Sequence, residues 1–227
     1  MPRKKKCNID RTLKKYIYRG GYGYVYLNPR GNIVKAATSS MKNEFTIMKL
    51  LKHLNFIPYV YCYETYNALK FLEMQYIEGM DLSTYFTEYV GKIPIDETLK
   101  FIIEISRKIK LIHENGYAHL DIKLNNFILK DQIYVLDFGN TQKLTGTLDH
   151  LVINELICNL PEIGKKHTSK EKIDVYCLCS MFKLMLEYSI RSVKKGKLHD
   201  IIDKGLHMNP DKRINLELLI LELLTIE

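Results

Sequence analysis

The sequence predicts an α+β fold: a small antiparallel sheet carrying one helix, then a larger, mainly helical part. Three observations support this. Between Tyr16 and Met74, short runs rich in Tyr, Val and Ile alternate with Gly, Pro and Asn breaks, as strands and turns do. One stretch after Ser40 changes to helical spacing, and from Glu97 onward that spacing dominates. At 227 residues and 46% hydrophobic content, the chain suffices for one domain with a substantial core or for two small lobes.

The first strands lie in residues 16–27, where β-prone aromatics mix with Gly20, Gly21 and Gly23. A break at Asn28, Pro29, Arg30 and Gly31 leads to Ile33, Val34 and Lys35. This reads as strand, glycine turn, strand, turn, strand. Glycines let backbone N–H groups approach a phosphate with no Cβ in the way. Phe45, Met48, Leu51 and Leu54 then share one helix face, with Glu44 at the helix start. Residues 59–64 and 69–74 read as two more strands, completing a five-stranded antiparallel sheet. Residues 97–115 carry Leu99, Ile102, Ile103, Ile105, Ile109 and Ile112 on a long buried helix ending near Gly116. Further helices are read at 173–180 and 216–224, and Cys177 and Cys179 as small core residues rather than reactive thiols.

Composition narrows the setting. No run approaches the roughly 18 apolar residues of a membrane helix, so no membrane association is expected. The basic N-terminus is not followed by an apolar core, so no secretory signal is expected. The five cysteines (Cys7, Cys62, Cys158, Cys177 and Cys179) lack C-x-x-C spacing. Neither a disulfide framework nor a zinc site follows, and a reducing intracellular setting, cytoplasm or nucleus, is expected. The formal charge is +8, and Arg3, Lys4, Lys5, Lys6, Arg11, Lys14 and Lys15 concentrate much of it at one end. Residues 1–15 are read as a solvated basic tail, with an acidic partner or a nuclear-import receptor as its alternative use; nucleic acid is disfavoured.

The chemistry concentrates between His119 and Gly139. Phe127, Ile128 and Leu129, the polar break Lys130, Asp131 and Gln132, and then Ile133 to Leu136 read as a hairpin. A hairpin returns its ends to one another, so Asn126 before it and Asp137 after it become neighbours. Asp121 lies five positions before Asn126, close enough to face the same cleft as Lys123. Carboxylate and amide oxygens suit Mg²⁺, which keeps few protein ligands alongside substrate phosphates. An Asp there can accept a hydroxyl proton, and a Lys can steady a phosphoryl oxygen. That is a phosphoryl-transfer site in outline.

These residues resemble the catalytic loop and Asp-Phe-Gly segment of the protein kinases, and the resemblance runs from Tyr16 to Glu227. It implies a bilobal fold, with an N-lobe at about 16–74, a hinge at 75–81 and a C-lobe at 82–227, and ATP between the lobes. It implies Asp121 as catalytic base, Lys123 on the transferred phosphate, and Asn126 and Asp137 as Mg²⁺ ligands. The nucleotide would meet Ile17, Gly20, Gly21, Gly23, Val25 and Ile128, with Lys35 on its phosphates and Glu44 holding Lys35. Gln75 to Ile77 would bond adenine beside the gatekeeper Met74, and Asp81 would reach the ribose. Asp174 would brace the catalytic-loop backbone, and Arg213 would pair with Glu162. His119 matches a packed structural histidine.

The departures are Tyr18 at the first glycine position, Ile33 where Ala is usual, and Leu120 in place of a phosphate-reading Arg. Lys123, two after the base, resembles the Ser/Thr-type loop. The implied activity is an ATP- and Mg²⁺-dependent Ser/Thr protein kinase, independent of activation-loop phosphorylation, in a compact format that would suit a viral or bacterial effector. The alternatives are a kinase-shaped mimic or inhibitor of a cellular kinase, and a small-molecule kinase.

Overall fold

The computed structural model describes residues 8–20, 23–148, 160, 162, 169–190 and 196–226. The chain divides into two units, Met1–Glu78 and Gly79–Glu227.

The first unit holds β1 (Lys15–Gly20), β2 (Gly23–Leu27), β3 (Asn32–Ala37), α1 (Lys42–Leu50), β4 (Val60–Tyr66) and β5 (Leu69–Gln75). The strands form one antiparallel sheet in the order β1-β2-β3-β5-β4. Alternation sorts the side chains of β3: Val34 and Ala36 join Tyr26, Cys62 and Phe71 in a buried cluster, while Ile33 and Lys35 face the other way. The β2–β3 turn closes on Asn28, fully buried, whose Oδ1 accepts from the Arg30 and Asn32 amides while its Nδ2 donates to Glu73 Oε1 at 2.8 Å.

Two expectations need correction in this unit. The buried face of α1 is Glu44, Ile47 and Met48, with Leu51 just beyond; Phe45 instead lies against Tyr63 at 5.9 Å, and Leu54 falls past the helix end. The helix is rotated toward Glu44, whose buried carboxylate pairs with Lys35. The end of the basic segment is also not solvated throughout. Ile9 is buried in the cluster behind β3, and Arg11 stacks 4.0 Å from the Tyr66 ring and pairs with Glu64. Residues 1–7, which include Arg3 to Lys6, lie outside the described residues. In addition, Cys62 is disulfide-bonded, which a reading without disulfides did not anticipate.

The second unit holds β6 (Met80–Asp81), α2 (Leu82–Glu88), α3 (Ile95–Glu114), β7 (Tyr117–Ala118), β8 (Phe127–Leu129), β9 (Ile133–Val135), β10 (Gln142–Lys143), α4 (Lys170–Tyr188), α5 (Lys197–Gly205) and α6 (Leu216–Leu223). All six apolar residues picked out on α3 are buried, and the chain leaves the helix through Gly116 at φ +86°. A left-handed residue after a helix is where glycine is preferred. Strands β6, β8 and β9 form one small sheet and β7 and β10 another. Cys177 and Cys179 are buried in α4, and burial pushes both thiols up, Cys179 to about 12, so they are inert core residues. No helix among the described residues is long and apolar enough to cross a membrane.

Candidate active site

In the second unit the site is built on the backbone between β7 and β8. Asp174, fully buried in α4, accepts from the His119 amide at 2.7 Å and the Leu120 amide at 2.8 Å. Those two bonds hold Leu120 at φ 63°, a conformation costing an L-residue roughly 1–2 kcal/mol. His119 is a packed residue. Its Nδ1 accepts from the Asp121 amide at 3.3 Å, so Nε2 carries the proton and donates to the Leu136 carbonyl at 3.0 Å. Its ring lies 5.1 Å from that of Phe138.

This frame presents Asp121, itself largely buried, in a ring of donors. Lys123 Nζ bonds both carboxylate oxygens, at 3.1 and 2.8 Å. Asn126 Nδ2 donates to the Asp121 carbonyl at 2.7 Å and to its Oδ2 at 3.0 Å. The amide hydrogens of Asn126 are thereby directed at oxygens, which assigns the opposite atom as the acceptor Oδ1. The predicted hairpin is present as β8 and β9, and the Leu136 amide bonds the Asn126 carbonyl at 2.8 Å, so the two ends adjoin. Asp137 follows at φ 62°, and a Cβ on Gly139 would come 3.3 Å from its Oδ1. An amide oxygen and a carboxylate oxygen on the adjoining ends of the hairpin are hard donors that fit a Mg²⁺ ion retaining water and phosphate ligands.

In the first unit, Lys35 Nζ pairs with Glu44 Oε1 at 2.6 Å. Helix α1 supplies Glu44 from its first turn, so nine residues of separation suffice. Lys35 stands opposite the buried Val25 in the ladder, and Gly20 stands opposite Gly23. Gly23 has a packing reason beyond the one read from sequence: a Cβ there would lie 2.0 Å from the Ala36 carbonyl oxygen. Gly21 lies outside the described residues, and Ile17 is partly exposed on β1. The Gln75 amide already bonds the Tyr59 carbonyl at 2.8 Å, whereas Ile77 and Met74 are buried.

Asp81 and Ile128, opposite each other between β6 and β8, belong to the second unit. Asp81 caps α2, accepting from the Thr84 amide and hydroxyl at 3.0 and 2.7 Å, a task that the ribose assignment had not included. Arg213, buried, pairs with Glu162 at 2.6 Å. The neighbouring Asn159 and Pro161 lie outside the described residues.

A model of the protein kinase domain matches residues 29–222. The chain belongs to the protein kinase family. Among curated proteins, this kinase domain is 38% identical to the KEOPS complex subunit Bud32 of Pyrococcus abyssi, over 37% of this chain and 36% of that protein. It is 26% identical to the probable serine/threonine-protein kinase zyg-1 of Caenorhabditis briggsae, over 88% of this chain and 32% of the relative. It is also 26% identical to the serine/threonine-protein kinase cds1 of Schizosaccharomyces pombe, over 75% and 39%. The matches thus span about a third of the length of these relatives.

Sequence reasoning missed His113 on α3, whose Nε2 lies 2.8 Å from Asp174 Oδ2. It also missed Thr141, whose hydroxyl donates to the His119 carbonyl at 3.2 Å. Neither residue lies in a stretch that reads as a motif, and only folding brings them to the loop.

Proposed function

We propose that this kinase domain transfers the γ-phosphoryl group of ATP to Ser or Thr hydroxyls of proteins. The observation that carries the reading is the set of donors fixed around Asp121. Lys123 and Asn126 hold its carboxylate in one orientation, from which it can align an acceptor hydroxyl and take its proton as the new ester bond forms. Lys123, partly exposed at its tip, is available to the transferring phosphoryl oxygens once it swings from Asp121. Lys35, oriented by Glu44, would hold the nucleotide phosphates, and Asn126 Oδ1 and Asp137 would hold Mg²⁺. The ion, when bound, supplies charge neutralisation on the phosphates. Catalysis by these groups is mostly positioning and electrostatics, the terms on which phosphoryl transfer depends. Ser or Thr as acceptor rests on Lys123 and on the serine/threonine kinases among the relatives.

The test is transfer of labelled phosphate to a panel of Ser- and Thr-bearing proteins by the wild type, Asp121→Asn and Asp137→Asn. The expected loss for Asp121→Asn is about 10²–10⁴-fold, the usual share of a positioned base. A wild type that transfers no phosphate and shows no Mg²⁺-dependent nucleotide shift in thermal unfolding would overturn the reading in favour of a kinase-shaped binding protein.

A further inference from the structure

Helix α3 reaches the hairpin that carries both candidate metal ligands at its ends. The bonds from the Leu136 amide to the Asn126 carbonyl and from the Lys130 amide to the Gln132 carbonyl set the phase of the β8–β9 ladder. In that phase, pairs alternate between bonded and non-bonded, so Ile133, opposite Leu129, points its N–H and C=O away from β8. Strand β9 is an edge of its sheet, so among the described residues no further strand meets these groups. Two side chains of α3 meet them instead. Glu104 Oε1 accepts from the Ile133 amide at 2.9 Å, and Lys108 Nζ donates to the Ile133 carbonyl and to Gln132 Oε1 at 3.0 Å. The two side chains are one turn apart and paired at 2.7 Å. Lys108 is largely buried, and a cation removed from water is costly unless bonded as this one is.

We infer that Glu104 and Lys108 are positioning residues that set the metal affinity of the site by fixing β9, and with it Asp137, against Asn126. The inference rests on the kinase reading above. The side chain of Asn126 has its own bonds to Asp121, whereas Asp137 leaves the hairpin two residues past β9. Loosening the clamp therefore shifts one ligand relative to the other and leaves the Asp121–Lys123–Asn126 group in place. The expected consequence is weaker metal binding with little change in turnover once metal saturates. Groups supporting metal ligands usually govern affinity by about 10–100-fold.

The experiment compares wild type with Lys108→Met and with the double variant Glu104→Gln/Lys108→Met, which leaves no unpaired carboxylate if the single variant folds poorly. Two readouts are taken: Mn²⁺ binding by paramagnetic titration with a non-hydrolysable ATP analogue present, and the Mg²⁺ concentration giving half-maximal phosphotransfer. A rise of about tenfold or more in both the Mn²⁺ dissociation constant and the half-maximal Mg²⁺ concentration, with kcat at saturating Mg²⁺ retained, supports the clamp. Unchanged Mn²⁺ affinity, or a fall in kcat alone, overturns it while leaving the kinase reading intact. A wild type that binds no Mn²⁺ with the nucleotide overturns both.

Discussion

At the scale of single residues, several positions are determined by what would collide with them. Gly205, at the end of α5, faces α4 so closely that a Cβ would lie 2.1 Å from Cys179 Sγ. Gly205→Ala is expected to destabilise the domain by about 1–3 kcal/mol through overpacking. Cys179→Ala in the same chain should recover part of that loss, because the sulfur is what the new methyl meets. Urea unfolding of the two single variants and the double variant checks this, with the coupling read from the cycle. Neither residue announces this role in the sequence. Cys179 reads as a small core residue, which is correct without revealing that Gly205 packs against it.

At the scale of elements, three parts of the second unit converge on one carboxylate. Asp174 of α4 receives two amides of the loop after β7 and the imidazole of His113 on α3. Burial works against a charged His113, but its bond to Asp174 and the Glu171 carboxylate 3.8 Å from its Nδ1 outweigh this and lift it from 6.5 to about 9. The same contact holds the Glu171 carboxyl below its usual range. A raised histidine stabilises the fold fully below its unfolded value of 6.5, and that contribution disappears as pH rises through about 9. Its size is about 3 kcal/mol, the difference between 6.5 and about 9 taken at roughly 1.4 kcal/mol for each tenfold change in proton affinity. Unfolding free energy should therefore fall between pH 6.5 and 9, and His113→Gln should flatten that decline. Urea titrations at intervals across this window are the measurement. The helices and the hairpin were legible because their periods are local. The family resemblance implied Asp174 bracing the loop, but not the part of His113, because α4 carries Asp174 more than 50 residues beyond it.

At the scale of the whole molecule, the question is what holds residues 140–145, the start of the segment after Gly139. Leu120, buried, stands where the family resemblance implies an arginine that reads a phosphate. Other bonds hold the start of the segment. Gln142 and Lys143 pair with Ala118 and Tyr117, and the buried Lys170 donates to the carbonyls of Lys143 and Thr145 at 2.8 and 3.5 Å. These contacts are backbone-directed and need no phosphate. Phosphatase-treated protein should therefore phosphorylate its acceptor as fast as untreated protein. A time course with both preparations, their phosphate content verified by mass spectrometry, checks this.

The sequence by itself determined the five strands of the first sheet, the hairpin of β8 and β9, the presence of α1, α3, α4 and α6, the order of the candidate catalytic residues, and the family. Each of these depends on local periodicity or on residues spaced a few positions apart. The tertiary structure alone decided which groups bear on them. It buried Ile9 behind the sheet, used Asp81 as a helix cap, and set Lys108 on an edge strand and His113 on Asp174. Those assignments depend on distances through space, which side-chain packing sets and which residue spacing does not encode.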